Sequence, residues 1–360
     1  MAEKAEKKLN IAIVIDDMGM GGAQHIVYEL IKNINPQIYK VTIVCTNPRG
    51  YSILENKILN EGYNVIFLNL YKYLQVFGLY FVLRKIKPDI VHAHQRGILA
   101  IFWALFNGVY LITTIHTNPQ ACFKWWFERF FFKISMLLRR NIVVAISEYN
   151  QKLIKDYWHL NDKYARFINN GIDIPQFFHK SHDFFSFINA SRQDKNKNQI
   201  LILKAFLRLF NEHKDIKLYL IGDGEERQKL KTFAAVNGLE QCVIFTGFLE
   251  SPKEYFANCD VYISSSNREG LSLSVLEGMA SELAVIATDA GGVRDLAREN
   301  GILIPVNDEQ ALYNAMKKLY EDRLLCAQMG KKSIEMVQNY SSVNMAKEYC
   351  LLYEKFAKER

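Results

Sequence analysis

The chain has 360 residues, 49% of them hydrophobic and 13% aromatic, which is enough apolar side chain for a large core and too much for a disordered polymer. The net charge of +7 divides unevenly, with 22 Lys and Arg against 13 Asp and Glu in residues 1–180 and 23 against 25 in residues 181–360. A one-sided excess of that kind fits an anionic membrane surface or an anionic acceptor and predicts no nucleic acid partner. Six cysteines with no C-x-x-C pair read as free thiols of a reducing compartment. The charged start MAEKAEKKLN lacks the apolar core of a signal peptide, and runs such as ILAIFWALF fall well short of the roughly 18–20 residues that cross a bilayer. The expectation is a cytoplasmic protein that does not span the membrane.

Short apolar runs alternate with longer helical ones. IAIVID, VTIVCT, NVIFLNL, DIVHAH, YLITTIH and IVVAIS precede Asn150; FFSFINAS, KLYLIGDG, CVIFTGF, DVYISSS, LAVIATD and GILIPV follow. Apolar character on both faces is what parallel strands covered by helices on two sides require. The series predicts two doubly wound, Rossmann-like α/β domains facing each other across a cleft. The boundary falls near Phe167 to Phe178, where Asn, Gly and Pro interrupt the periodicity. Domain bounds are 1–170 and 171–341, with a last helix over about 342–360 packing back on the first domain. In open parallel sheets ligands lie at the carboxyl ends of the strands, so the strand-end loops are where chemistry is expected.

The first such loop, DDMGMGGAQHIVYELI, has Gly19, Gly21 and Gly22 ahead of a helix that starts near Ala23. Glycines let a ligand approach the backbone, and the helix start offers unpaired N–H groups to an anion. The spacing is not G-x-G-x-x-G followed by a ribose-binding acid, which argues against a dehydrogenase. His92 and His94 alternate along one strand, with no third ligand nearby and no D-x-D carboxylate pair to hold a divalent ion on a diphosphate, so no metal site is expected.

Residues 123–140, FKWWFERFFFKISMLLRR, predict a helix with two apolar stripes. At about 100° per residue Phe123, Trp126, Phe127, Phe130, Phe131, Ile134, Leu137 and Leu138 share one broad arc, assigned to the core. Trp125, Phe132 and Met136 lie opposite, bordered by Lys124 and Arg139 on one side and by Arg129, Lys133 and Arg140 on the other. Aromatics between cations suit an anionic bilayer interface, and the second stripe is expected to make a peripheral membrane contact.

In the second half, ASRQDKNKNQIL carries Arg192 and Lys197 in one strand-end loop, a planar fork and a point charge suited to clamping a diphosphate. LIGDGEE adds Gly222 and Gly224. SSSNREGLSLSVLEGMA leads from a strand into a helix expected near Ser272, whose first amides, at Ser272, Leu273 and Ser274, would be orphan donors for phosphate or sugar oxygens. Glu269 then lies in the preceding loop and Glu277 one to two turns into the helix, both able to accept from ligand hydroxyls. Taken alone, the same stretch is better described as a helix capped by Ser272 with a solvated Glu277.

Together HAH, TTIHT, ISEYN, NNGID, Ser191-Arg192 with Lys197, REGLSLSVLEGMA and ATDAGGVRD occur in the order and at roughly the spacing found in retaining glycosyltransferases of family four, which have the GT-B fold. The likeness spans nearly the whole chain, and the E-x7-E element of Glu269 and Glu277 is its most specific part. The resemblance implies that Arg192 and Lys197 hold the donor diphosphate and that Glu277 binds the ribose. It places Glu269 against the transferred sugar, His116 beside the reacting hexose, Gly21 and Gly22 along the same pocket, and Gly222, Gly270, Leu271, Ser272 and Leu273 at the donor.

Three positions depart from the family pattern: Ser191 where a Gly precedes the phosphate-binding Arg, Leu271-Ser272 for the common Phe-Gly, and Asp295 for the usual Glu in the late glycine loop. None removes a charge. What the resemblance implies is transfer of a hexose or N-acetylhexosamine from a UDP-linked donor to a glycan or lipid-linked acceptor, with the anomeric configuration retained and the departing phosphate acting as base, without metal or other cofactor. The acceptor is expected on the first domain. Rival readings are a non-catalytic partner subunit of the same fold, a nucleotide-sugar epimerase and a phosphorylase.

Overall fold

The structure, a computed structural model, describes residues 8–19, 21–70, 74–94, 100, 103–104, 107–116, 119, 126–138, 141–180 and 184–358, leaving out the side chains of 76, 126–128 and 176. The chain forms two compact units, one of Met1–Gly171 with Ser342–Arg360 and one of Ile172–Ser341.

Unit 1 is built on strands β1 (Leu9–Ile15), β2 (Tyr39–Cys45), β3 (Val65–Phe67), β4 (Ile90–His94), β5 (Tyr110–Ile115), β6 (Asn141–Ala145) and β7 (Ala165–Phe167). They form one parallel sheet in the order β3-β2-β1-β4-β5-β6-β7. Its described helices are α1 (Gly22–Lys32), α2 (Ile53–Asn60), α3 (Gln75–Ile86), α4 (Trp126–Leu137) and α5 (Glu148–Trp158). Leu79 and Leu83 of α3, Phe132 and Met136 of α4, and Ile154 and Trp158 of α5 share one core cluster with Val91, Leu111 and Val143 of the sheet.

Unit 2 has β8 (Phe185–Ala190), α6 (Gln199–Glu212), β9 (Ile216–Ile221), α7 (Arg227–Val236), β10 (Val243–Gly247), α8 (Lys253–Ala257), β11 (Val261–Ser264), α9 (Leu273–Ala280), β12 (Ala284–Thr288), β13 (Gly301–Ile304), α10 (Glu309–Glu321) and α11 (Arg323–Val337). Its strands run parallel in the order β10-β9-β8-β11-β12-β13.

The last helix, α12 (Ser342–Lys358), returns to unit 1. Met345, Ala346, Tyr349, Leu352, Tyr353 and Phe356 are its buried apolar and aromatic residues, spaced as one face of a 3.6-residue period. Each large side chain so buried stabilises by about 1.5–3 kcal/mol. Tyr39 donates to Glu354 over 2.7 Å, and Asn33 Nδ2 to Ser342 Oγ over 3.2 Å.

Strand order fixes where ligands go. In unit 2 the chain winds outward from β8 to β10 and then crosses to β11, so the loops after β8 and β11 flank the switch point at which open α/β sheets bind ligands. Unit 1 has the same reversal between β1 and β4. No helix of the described residues is long and apolar enough to cross a membrane.

Candidate active site

The β8 loop is pre-shaped by Asp194. One carboxylate oxygen accepts the backbone N–H groups of Asn196 and Lys197, both at 3.0 Å, in an Asx turn, while the other accepts Arg192 Nε at 2.8 Å. The exposed guanidinium of Arg192 is thereby anchored at Nε.

This loop is laced to the one after β11. Asn267 donates its backbone N–H to Asn196 O over 2.7 Å and its side-chain amide to Lys195 O over 2.9 Å, and Ser265 Oγ donates to Lys197 O over 2.7 Å. Lys197 Nζ pairs with Glu269 Oε2, which also accepts from Ser266 Oγ at 3.1 Å. Glu269 is fixed in turn by the late glycine loop: its N–H donates to Ala290 O over 2.7 Å and its carbonyl accepts from Gly292 N at 3.0 Å. Arg192, Lys197 and Glu269 are therefore brought together by two loops at the switch point.

Beyond Gly270 and Leu271, helix α9 begins at Leu273 with Ser272 as N-cap. The Ser272 hydroxyl caps nothing and lies instead 3.2 Å from Ser274 Oγ. The N–H groups of Leu273, Ser274 and Val275 have no acceptor among the described residues, so the positive end of the helix is open to an anion. Gly278 fits α9 onto Tyr262 beneath it, where a Cβ would sit 2.9 Å from the Tyr262 Cβ, and the Tyr262 hydroxyl donates to Ser274 Oγ over 2.8 Å. The carboxylate of Glu277, a half-buried residue, has no hydrogen-bond partner among the described residues. Loss of hydration pushes its carboxyl up to about 7, opposed by the charge of Lys253.

Gly222 and Gly224 close the back of the β8 loop. Gly222, at φ +120°, would place a Cβ 2.1 Å from Ser191 O, and its N–H is taken by Gly247 O at 2.8 Å. It contributes close approach of backbone and no free donor.

In unit 1, Gly21 is the N-cap of α1 and no side chain caps that helix. Asp17 Oδ1 accepts from Gly19 N at 2.9 Å and from Gln24 Nε2 at 3.0 Å, which shapes the glycine loop. Gly22 is the first helical residue. His116 follows β5, half-buried, with Nε2 at 2.8 Å from His94 Nδ1. His92 spends both ring nitrogens inside the fold, on the Tyr353 hydroxyl at 2.7 Å and Thr114 Oγ1 at 2.8 Å. Burial pushes His92 down to about 3 and His116 to about 4.

The face assignment along 123–140 is corrected by the structure. Phe132 and Met136, expected on the outward stripe, are buried, whereas Phe130, Leu137 and Leu138, expected in the core, are 54%, 79% and 55% exposed. Phe131 and Ile134 are intermediate. Phe123, Lys124, Trp125, Arg139 and Arg140 lie outside the described residues, as do the side chains of Trp126 and Phe127. The narrower stripe wins because it carries Ser135, whose hydroxyl donates to Phe132 O and accepts from Asn141 Nδ2 at the start of β6, and because the Phe132 ring packs 4.8 Å from that of Trp158. Hydrophobic width alone does not decide which face docks.

Two doubly wound parallel units, one carrying a cation pair, an open helix start and two carboxylates at its switch point, define the class of GT-B sugar-transfer enzymes. Known proteins agree. The family model "Glycosyltransferase Family 4" matches residues 20–176, and "Glycosyl transferases group 1" matches residues 170–336. Over 358 residues the chain is 24% identical to the N-acetylgalactosamine-N,N'-diacetylbacillosaminyl-diphospho-undecaprenol 4-alpha-N-acetylgalactosaminyltransferase of Campylobacter jejuni, covering 94% of this chain and 97% of that protein. It is also 24% identical to the UDP-Gal:alpha-D-GlcNAc-diphosphoundecaprenol alpha-1,3-galactosyltransferase of Escherichia coli, over 69% and 71% of the two chains. The HepE structure from Anabaena, solved with UDP, superposes with a TM-score of 0.83 at 17% identity, covering 97% of this chain and all of the other. The chain belongs to the family-four glycosyltransferases of GT-B fold and is a glycosyltransferase.

Proposed function

We propose that the chain is a retaining transferase that moves a hexose or N-acetylhexosamine from a UDP-linked donor to a glycan or lipid-linked acceptor in cell-surface polysaccharide or glycoconjugate synthesis. No divalent metal or other cofactor takes part. The observation that carries the reading is the Lys197–Glu269 pair, fixed by Asp194, Ser266 and the late glycine loop ahead of the uncapped start of α9. It offers a cation, free amides and a carboxylate at one strand-end site.

In the reaction the bond between the sugar C1 and the β-phosphate oxygen breaks. Arg192, Lys197 and the α9 amides offset the charge that develops on the diphosphate. The acceptor hydroxyl attacks C1 on the face the diphosphate leaves, and its proton passes to the departing phosphate. Glu277 accepts from the ribose hydroxyls, Glu269 and His116 contact the transferred sugar, and Gly21, Gly22, Gly222, Gly270, Leu271, Ser272 and Leu273 supply backbone close to the donor. The names of the Campylobacter jejuni and Escherichia coli relatives, both with undecaprenyl-linked acceptors, support the acceptor class, and the second also supports UDP.

A peripheral contact with anionic membrane at the inner face of the plasma membrane completes the proposal. Its support comes from unit 1, where the exposed Phe130 and Leu137 of α4 and Leu138 just after it are accompanied by exposed Phe77 and Phe81 along one face of α3 and Leu74 just before it. Residues 62–88 hold four Lys and Arg and no Asp or Glu, a combination suited to an anionic interface.

The test offers labelled UDP-sugars with undecaprenyl diphosphate-linked saccharides. Labelled lipid whose new linkage keeps the donor's anomeric configuration supports the proposal, and an inverted linkage contradicts it. Glu269→Ala and Lys197→Ala should each lower kcat by about a hundredfold or more; unchanged rates in both would overturn the site.

A further inference from the structure

β4 and β5 run side by side with His94 opposite Thr114, and His92, His94 and His116 form a row at their carboxyl ends. Both ring nitrogens of His92 are satisfied, and Thr114 Oγ1 continues that network to the Tyr349 hydroxyl at 3.0 Å. His94 differs. Its Nδ1 lies 2.8 Å from His116 Nε2, while its Nε2 is enclosed with no hydrogen-bond partner among the described residues.

Two neutral imidazoles joined through one nitrogen each share a single proton, and its position is decided by what happens at His94 Nε2. Were His116 Nε2 the donor, His94 would carry its only proton on Nε2, leaving a buried N–H without an acceptor, which is costly. With His94 Nδ1 as donor, Nε2 is a bare lone pair, and folded proteins tolerate an unsatisfied acceptor better than an orphaned N–H. Both rings stay neutral, because burial holds His94 well below the ordinary histidine value and His116 near 4. Among the described residues the pair is faced by His92, whose ring lies 4.3 Å from that of His94, with Tyr349 and Tyr353 beyond it, all uncharged in their buried settings. The remaining nitrogen of His116, Nδ1, has no protein partner among the described residues.

We propose that His94 is a positioning residue: it donates its Nδ1 proton to His116 Nε2, so that His116 presents an Nδ1–H donor, not a lone pair, to a sugar hydroxyl. The last step rests on the assignment of His116 to the transferred sugar; the tautomer itself does not.

The test has two arms. In protein labelled with 15N-histidine, with His116 assigned from the signal lost in His116→Gln, the wild-type ring should carry its proton on Nδ1; a proton on Nε2 overturns the proposal irrespective of activity. His94→Asn places an amide N–H where Nδ1–H stands, and His94→Asp an acceptor alone. The Asn variant should keep kcat within about threefold, and the Asp variant should move the His116 proton to Nε2, raise the acid limb of the pH profile and lower kcat by about a hundredfold with little change in donor KM. Equal kcat and equal pH profiles for the two folded variants would overturn it. Transfer missing in wild type as well, with the tautomer as stated, would instead count against the functional reading of the site.

Discussion

Replacing Glu277 by glutamine should stabilise the free protein while weakening its nucleotide complex. Burial pushes the Glu277 carboxyl from its ordinary 4.5 up to about 7, with Lys253 acting in the opposite direction. A folded pKa above the unfolded one means that the folded state binds the proton more tightly. The stability contributed by this group is then full below pH 4.5 and is lost as pH rises through about 7. At pH 8 the folded protein therefore holds an ionised, poorly hydrated carboxylate at a cost of up to about 3 kcal/mol. Glutamine removes that charge at similar volume, so Tm at pH 8 should rise by several degrees for a chain of this size, and the gain should vanish near pH 4.5. Ribose hydroxyls donating to the carboxylate favour its ionised form, so wild-type UDP affinity should fall about tenfold from pH 8 to pH 6. The variant should bind weakly at both. Thermal unfolding and titration calorimetry across pH 5–8 read all of this. A variant less stable than wild type at pH 8, or one with wild-type affinity and pH dependence, would show that Glu277 is not a buried ribose ligand.

Other outcomes can be checked in the same preparations. Lys197→Met and Glu269→Gln should be non-additive in UDP binding, because each leaves the other's group without its partner; a double-mutant cycle with coupling below about 0.5 kcal/mol would contradict the pairing. Transfer should persist in excess chelator, and complete loss restored by magnesium or manganese would refute the metal-free clamp. Gly278→Val puts a branched side chain where Tyr262 Cβ, Cγ and Cδ2 lie 2.9–3.1 Å from a Cβ, so unfolding in urea should show a loss of about 1–3 kcal/mol; an unchanged midpoint would mean that α9 is not seated as described. Wild type should sediment with anionic vesicles at low salt, whereas Phe77→Ser with Phe81→Ser should not, and equal recovery of both in the supernatant would leave the membrane contact without support.

The strand runs were legible because burial on both faces leaves unbroken apolar segments, as in IAIVID and VYIS, and the Glu269–Glu277 spacing pointed to the strand-to-helix turn. The resemblance added the individual roles. What the sequence did not disclose depends on tertiary choice. Two apolar stripes on α4 are alternatives that only the Ser135–Asn141 bond and the Trp158 ring decide. The outward Phe77 and Phe81 of α3 sit in a run apolar enough to read as core. Asp194, which orders both cations of the clamp, carried a local signal as an Asx-turn residue two positions before Asn196. The contact of His94 with His116 joins residues 22 apart in the chain and had no local signature.

The proposed chemistry stands or falls with binding of a nucleotide donor's diphosphate by unit 2 through the Lys197–Glu269 site. Protection against thermal unfolding by a panel of nucleoside diphosphates tests it most directly, since a ligand at a hundred times its Kd adds about 2.7 kcal/mol to the folded state. UDP should raise the Tm of the wild type by several degrees and leave Lys197→Ala nearly unmoved. No shift with any nucleoside diphosphate, or an equal shift in wild type and variant, would contradict the account.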